Sequence, residues 1–126
     1  MNESPISSYH CVLIEDNIPV QRVTQLLLEQ NPHHFEVSAF TTNVSALQLL
    51  TRQKVELIVT DKTGNGMLPL SAFVEQLKDT PNASTPVIVI SGFDATDDEK
   101  DLCDVYLRKP FSMREIDEAV HALLDL

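Results

Sequence analysis

Three runs in this chain, Cys11-Val12-Leu13-Ile14, Leu57-Ile58-Val59 and Val87-Ile88-Val89-Ile90, are apolar at every position. A strand that is apolar on both faces has to be covered on both, which is the situation of a parallel sheet with helices above and below it. These runs therefore take the centre of a sheet. Phe35-Glu36-Val37-Ser38-Ala39 and Val105-Tyr106-Leu107-Arg108 interleave polar with apolar residues, so they take its edges. Between the strands apolar residues recur at helical spacing: Val20, Val23 and Leu27; Val44, Leu47 and Leu50; Leu70, Phe73, Val74 and Leu77; and Ile116, Ala119, Val120, Leu123 and Leu124. Start signals agree, with Asn17 and Asn43 as candidate N-caps, Pro69 as a first-turn proline and Ser112 with Glu115 as a capping box. The repeating β-α pattern, right-handed crossovers and the two edge assignments predict an α/β doubly wound five-stranded parallel sheet of order 2-1-3-4-5.

A length of 126 residues with 43% hydrophobic and 22% charged residues fits one domain with a real core, residues 10–126, behind a short polar tail, residues 1–9. The net charge of −10 argues against direct nucleic-acid binding, which needs clustered Lys and Arg to neutralise phosphates. Met1 to His10 has neither a basic start nor an apolar core, and no run approaches the roughly 20 residues of a membrane span. The expectation is a cytoplasmic protein without membrane contact. Cys11 and Cys103 lack metal-ligand spacing and read as small hydrophobes in a reducing compartment. The four histidines, His10, His33, His34 and His121, have no convergent partners and read as surface or turn residues. Asp94 to Asp104 holds six acids and one lysine with few apolar positions, so the fourth helix buries little and is either a solvated face or a movable partner surface.

Polar residues follow the strands at their carboxyl ends. Glu15 and Asp16 follow the first run, Asp61 the third strand, Ser91 the fourth and Lys109 the fifth. In open α/β sheets this edge is where ligands bind. Three crowded carboxylates repel one another and favour a hard cation such as Mg2+, while a lysine and a hydroxyl suit phosphoryl oxygens. The combination points to magnesium-assisted phosphoryl chemistry on an aspartate. Asp16 and Asp61 are candidate direct ligands, a backbone carbonyl near Thr63 a third, and Glu15 a ligand through water.

Ile14-Glu15-Asp16-Asn17, Val59-Thr60-Asp61, Ile90-Ser91-Gly92 and Tyr106-Leu107-Arg108-Lys109-Pro110-Phe111, in that order, resemble the receiver domain of two-component response regulators, over nearly the whole chain from about residue 10. The resemblance implies a CheY-like, flavodoxin-like (βα)5 fold. It implies Asp61 as phospho-acceptor from a histidine kinase or phosphotransfer protein, and Glu15 and Asp16 as magnesium residues. Ser91 becomes the switch hydroxyl, Lys109 the phosphoryl contact, Tyr106 the switch aromatic, and Pro110 follows a cis peptide bond. Such a protein is no enzyme beyond self-catalysed phosphotransfer and autodephosphorylation. The first helix is then the kinase surface, and the fourth helix, fifth strand and fifth helix face an effector domain or downstream protein, with homodimerisation there left open.

One stretch departs from the family. Receivers usually carry a proline four residues after the acceptor and a glycine eight after it, where this chain has Asn65 and Pro69; Met67 matches. The glycine content of Lys62-Thr63-Gly64-Asn65-Gly66 leads us to expect a more flexible loop than usual. That keeps a second reading alive, a receiver-like interaction module independent of phosphorylation. A phosphohydrolase with an aspartyl nucleophile is disfavoured because the common ones place Asp-x-Asp after the first strand. A flavin phosphate site is disfavoured because acids follow that strand instead of a phosphate loop.

Overall fold

The computed structural model describes residues 9–32, 34–62 and 66–124. Five strands, β1 (His10–Ile14), β2 (Glu36–Phe40), β3 (Leu57–Asp61), β4 (Val87–Ser91) and β5 (Val105–Arg108), alternate with five helices, α1 (Ile18–Glu29), α2 (Asn43–Leu50), α3 (Leu70–Leu77), α4 (Asp97–Leu102) and α5 (Met113–Leu124). The sheet runs β2-β1-β3-β4-β5 with every pairing parallel, as the two edge patterns predict.

Alternation along the central strands divides the core into two layers. Val12, Ile14, Ile58, Val87 and Val89 pack with α2 and α3 through Ala46, Leu50, Phe73 and Leu77. Cys11, Leu13, Leu57, Val59, Ile88 and Ile90 pack on the opposite face with Leu28 of α1 and with Ile116, Ala119 and Val120 of α5. Cys11 is completely buried and Cys103 half-buried, both as free thiols.

Helix starts follow local chemistry, with corrections to the sequence reading. Asn17 caps α1 by accepting from Val20 N at 3.1 Å, and Ser112 and Glu115 form the reciprocal capping box of α5, at 3.1 and 2.9 Å. The cap of α2 is Thr42, not Asn43. Asn43 is buried and brackets the Leu68 peptide instead, donating to its carbonyl at 2.9 Å and accepting from its N–H at 2.8 Å. Pro69 occupies the cap position of α3, one residue before its first turn. The apolar stripe of α1 is rotated from the expected one: Val23 is 59% exposed, and Thr24 and Leu28 are the buried residues. Thr24 tolerates burial because its hydroxyl donates to Val20 O at 2.9 Å. Likewise Val44 of α2 is exposed.

His10 also has partners the sequence did not reveal. Its ring lies 2.8 Å from Ser38 Oγ and 2.8 Å from Gln53 Nε2, at the amino end of the sheet. Below that edge Asn82, fully buried, fastens the α2–β3 connection by donating to Leu50 O and Gln53 O and accepting from Val55 N, each at 2.8 Å. No helix among the described residues is long and apolar enough to cross a membrane.

Candidate functional site

The carboxyl ends of β1, β3, β4 and β5 converge because the four strands are adjacent and in register. Ile14 pairs with Thr60, Asp61 with Ile90, and Ser91 with Arg108, so the residues next in sequence meet over one edge of the sheet. Carboxylate oxygens of Glu15, Asp16 and Asp61 come within 4.8 Å of one another. Asp16 is exposed, Asp61 half-buried and Glu15 buried at 3% exposure.

Lys109 stands between Glu15 and Asp61. Its ammonium donates to Glu15 Oε1 at 3.0 Å and lies 3.6 Å from Asp61 Oδ2. The other Glu15 oxygen accepts from Asn17 N at 3.2 Å, so both of its oxygens are engaged. Burial pushes the Glu15 carboxyl above its ordinary value; the Lys109 and Asn17 hydrogen bonds pull it down, and the Asp61 charge adds to the rise. Burial acts to lower the Lys109 ammonium, but its bond to Glu15 and the charge of Asp61 outweigh that and raise it. Asp61 Oδ1 accepts from Lys62 N at 2.8 Å, which fixes the carboxylate and leaves Oδ2 toward Lys109. The peptide bond between Lys109 and Pro110 is cis, and Lys109 N donates to Ser91 O at 2.7 Å.

Ser91 is buried at 1% exposure, with its hydroxyl oxygen accepting from Phe93 N at 3.1 Å. Tyr106 is half-buried and donates its hydroxyl to Phe93 O at 2.7 Å. The backbone of Phe93 thus links the two residues singled out as the switch. The Thr63 carbonyl, expected as a metal ligand, lies outside the described residues. The structure brings the other predicted residues, Glu15, Asp16, Asp61, Ser91, Lys109 and Tyr106, to this edge.

Two contributors escaped the sequence reading. Gln21, on the first turns of α1, donates to Glu15 O at 3.1 Å and Phe40 O at 3.0 Å, pinning the β1 loop against β2. Lys62 pairs with Glu99 of α4 at 3.0 Å. Neither contact has a local sequence signal: Gln21 bridges its own strand–helix loop to Phe40, 19 positions away, and Glu99 lies 37 positions from Lys62. The chemistry available here is that of an anchored carboxylate beside an ammonium and a cluster of acids, suited to a hard cation and a phosphoryl group.

Residues 11–121 match the family model of the response regulator receiver domain. A curated protein, the probable transcriptional regulator ycf29 of Cyanophora paradoxa, is 29% identical over 119 residues, which make up 90% of this chain and 55% of that protein. The chain therefore spans about half the length of the curated relative it matches. A CheY-like receiver domain from Methylobacillus flagellatus is similar with a TM-score of 0.81 at 22% identity, covering 93% of this chain and 99% of that one. The receiver domain of a sensor histidine kinase from Pseudomonas aeruginosa, with a magnesium ion coordinated in its active site cleft, gives a TM-score of 0.80 at 18% identity over 95% of this chain and all (100%) of that one. At these identities the solved structures bear on the fold alone. With its five-stranded 2-1-3-4-5 sheet and a family match that runs from β1 into α5, the chain belongs to the response regulator receiver domain family.

Proposed function

We propose that this receiver is a phosphorylation-controlled switch that accepts a phosphoryl group from a histidine kinase phosphohistidine, or from a phosphotransfer protein, onto Asp61. The observation that carries this reading is Asp61 itself: Oδ1 is held by Lys62 N at 2.8 Å, and Oδ2 faces the Lys109 ammonium at 3.6 Å. Oδ2 is then the nucleophile. It attacks phosphorus, the P–N bond to the donor imidazole breaks, the imidazole leaves with the bonding pair, and an acyl phosphate remains on Asp61. Lys109 neutralises charge on the phosphoryl oxygens as transfer proceeds.

The donor set fits Mg2+. Asp16 and Asp61 are the proposed direct ligands, and Glu15, with both oxygens already engaged, acts through water. A backbone carbonyl near Thr63 is the proposed third protein oxygen. When bound, the ion screens the negative charge of donor and acceptor so that one anion can attack another. Water returns Asp61 to its free state by hydrolysis of the acyl phosphate, so the chain is a timed switch and not an enzyme acting on a separate substrate.

Ser91, one strand away, reports the phosphoryl group by hydrogen bonding to it, and Tyr106 follows through Phe93. The output passes to an effector domain or downstream protein over α4, β5 and α5. With a net charge of −10, any contact with DNA belongs to such a partner. The donor docks on α1, whose exposed Val23 lines, with Pro19 and Leu27, a groove walled by Pro110 and Phe111 beside Lys109. We place the protein in the cytoplasm, where the donors of such groups reside. A phosphorylation-independent interaction module is the second reading, favoured by Asn65 and Pro69 at the two atypical loop positions.

The reading is tested by incubating the protein with a phosphorylated histidine kinase carrying a labelled phosphoryl group, with Mg2+ and with EDTA. Label that moves to the chain only with Mg2+ supports it. A kinase-independent interaction with no label transfer from any histidine donor favours the second reading.

A further inference from the structure

Lys62 follows the proposed acceptor directly, yet its side chain takes no part in the phosphoryl chemistry described above. It reaches across to α4, where the ammonium lies 3.1 Å from Glu99 Oε1 and 3.0 Å from Oε2. It also sits over the Tyr106 ring, 5.7 Å from its centroid. The Lys62 and Glu99 side chains are only 13% and 21% exposed, so this pair is better shielded than the surface pairs Lys78–Glu75 and Arg114–Glu118. On α4 it matters more than it would elsewhere. None of the helix's residues is buried, and its hold on the core comes from half-buried Leu102 and, just beyond its end, Cys103.

We infer that the Lys62–Glu99 pair is a clamp that holds α4 against the acceptor strand in the unphosphorylated protein and is released by phosphorylation through Tyr106. This inference rests on the switch reading proposed above. The contacts close a loop: Asp61 adjoins Lys62, Lys62 covers Tyr106, Tyr106 is bonded to Phe93 O, and Phe93 N is bonded to Ser91 Oγ. Drawing Ser91 toward a phosphoryl group on Asp61 pulls on Phe93, moves the Tyr106 ring and removes one of the two partners of Lys62. The phosphoryl group also brings negative charge beside the lysine, which competes with Glu99 for the ammonium. An element with so little burial then loosens.

Cys103 reports on the clamp, because its thiol donates to Glu99 O at 3.4 Å and it is half-buried, whereas Cys11 is completely buried and serves as the control. The test is the rate at which an aromatic disulfide reagent labels Cys103 in wild type, Lys62→Met and Lys62→Arg. Lys62→Met is expected to label on the order of fivefold faster, with Lys62→Arg near wild type and Cys11 silent in all three. Charge alone predicts the opposite sign, since an unpaired Glu99 carboxylate raises the Cys103 thiol and slows attack. Equal or slower labelling in Lys62→Met overturns the clamp.

Beryllofluoride with Mg2+ tests the release. Wild type is expected to label faster when beryllofluoride is added, and Lys62→Met and Glu99→Gln to bind it roughly fivefold more tightly, because no clamp opposes the change. Glu99→Gln keeps an acceptor for the α4 capping box, so it separates loss of the ion pair from loss of the cap. Faster labelling of Lys62→Met with unchanged beryllofluoride affinity overturns the release. A wild type that binds no beryllofluoride, with faster labelling in Lys62→Met, overturns the switch reading and leaves the pair as a fixed anchor of α4.

Discussion

Lys109 donates to Glu15 at 3.0 Å across 94 positions of sequence, and that one bond holds the ammonium within 3.6 Å of Asp61. The lysine is therefore both a counter-charge for the acids and a competitor for any cation they bind. Removing it has effects of opposite sign. Lys109→Gln is expected to bind Mg2+ about threefold to tenfold more tightly, because a like charge has left the site. Phosphoryl uptake from a small phosphodonor falls about a hundredfold, because nothing replaces its charge on the transferring oxygens. Calorimetric Mg2+ titration and initial phosphorylation rates measure the two effects, and a joint loss of both would contradict this division of roles.

Mg2+ is expected to stabilise the folded chain. Three carboxylates sharing one edge repel one another, and a cation bound only in the folded state adds about 1.4 kcal/mol at ten times its Kd. For a domain of this size the melting temperature rises by about 4–6 °C, reversibly with EDTA. Asp61→Asn responds less. Differential scanning fluorimetry with and without Mg2+ decides the point, and equal shifts in wild type and Asp61→Asn would place the cation elsewhere.

Asn82 is a structural counterpart to the site, on the opposite edge of the sheet. Its side chain satisfies Leu50 O, Gln53 O and Val55 N together. Asn82→Leu preserves bulk but leaves these groups unpaired in a buried setting, at a cost of about 3 kcal/mol. Urea unfolding is expected to show a lower midpoint with an unchanged slope. A loss below about 1 kcal/mol would mean that water replaces the amide.

Whether a residue was legible in the sequence depended on whether its partners were local. The central strands could be read from Cys11 to Ile14, Leu57 to Val59 and Val87 to Ile90, because burial on both faces leaves no polar position. Strand order then followed from the wetter edges, and with it the meeting of Glu15, Asp16, Asp61, Ser91 and Lys109. The capping box of Ser112 with Glu115 also read correctly, since the two lie three residues apart, the same spacing as Thr96 and Glu99 in the box at the start of α4. Asn43 misled because an asparagine at a helix start looks like a cap, whereas its partner Leu68 comes 25 residues later. Thr24 was passed over and Val23 chosen because hydrophobicity does not reveal a hydroxyl satisfied within its own helix. The Lys62–Glu99 pair, 37 residues apart, carried no sequence signal at all.

Acid exposes the contribution of Glu99. The Thr96 N–H, with help from Lys62, holds its carboxyl below the ordinary value of 4.5. The folded state therefore binds fewer protons than the unfolded one as pH falls, so stability rises with pH through that range. The contribution is fully present above pH 4.5 and is lost as pH drops through the lower folded value. Melting temperatures of wild type and Glu99→Gln are expected to differ at neutral pH and to converge below that point. A gap that persists once the carboxyl is protonated in the folded state would assign the effect to packing.

The most direct test of the account is the intact mass of the protein after incubation with Mg2+ and acetyl phosphate, for wild type and Asp61→Asn. One added phosphoryl group is expected on wild type, none on Asp61→Asn, and no adduct when Mg2+ is chelated beforehand. An unmodified wild type, or a phosphoryl group that persists on Asp61→Asn, would contradict the assignment of Asp61 as the acceptor.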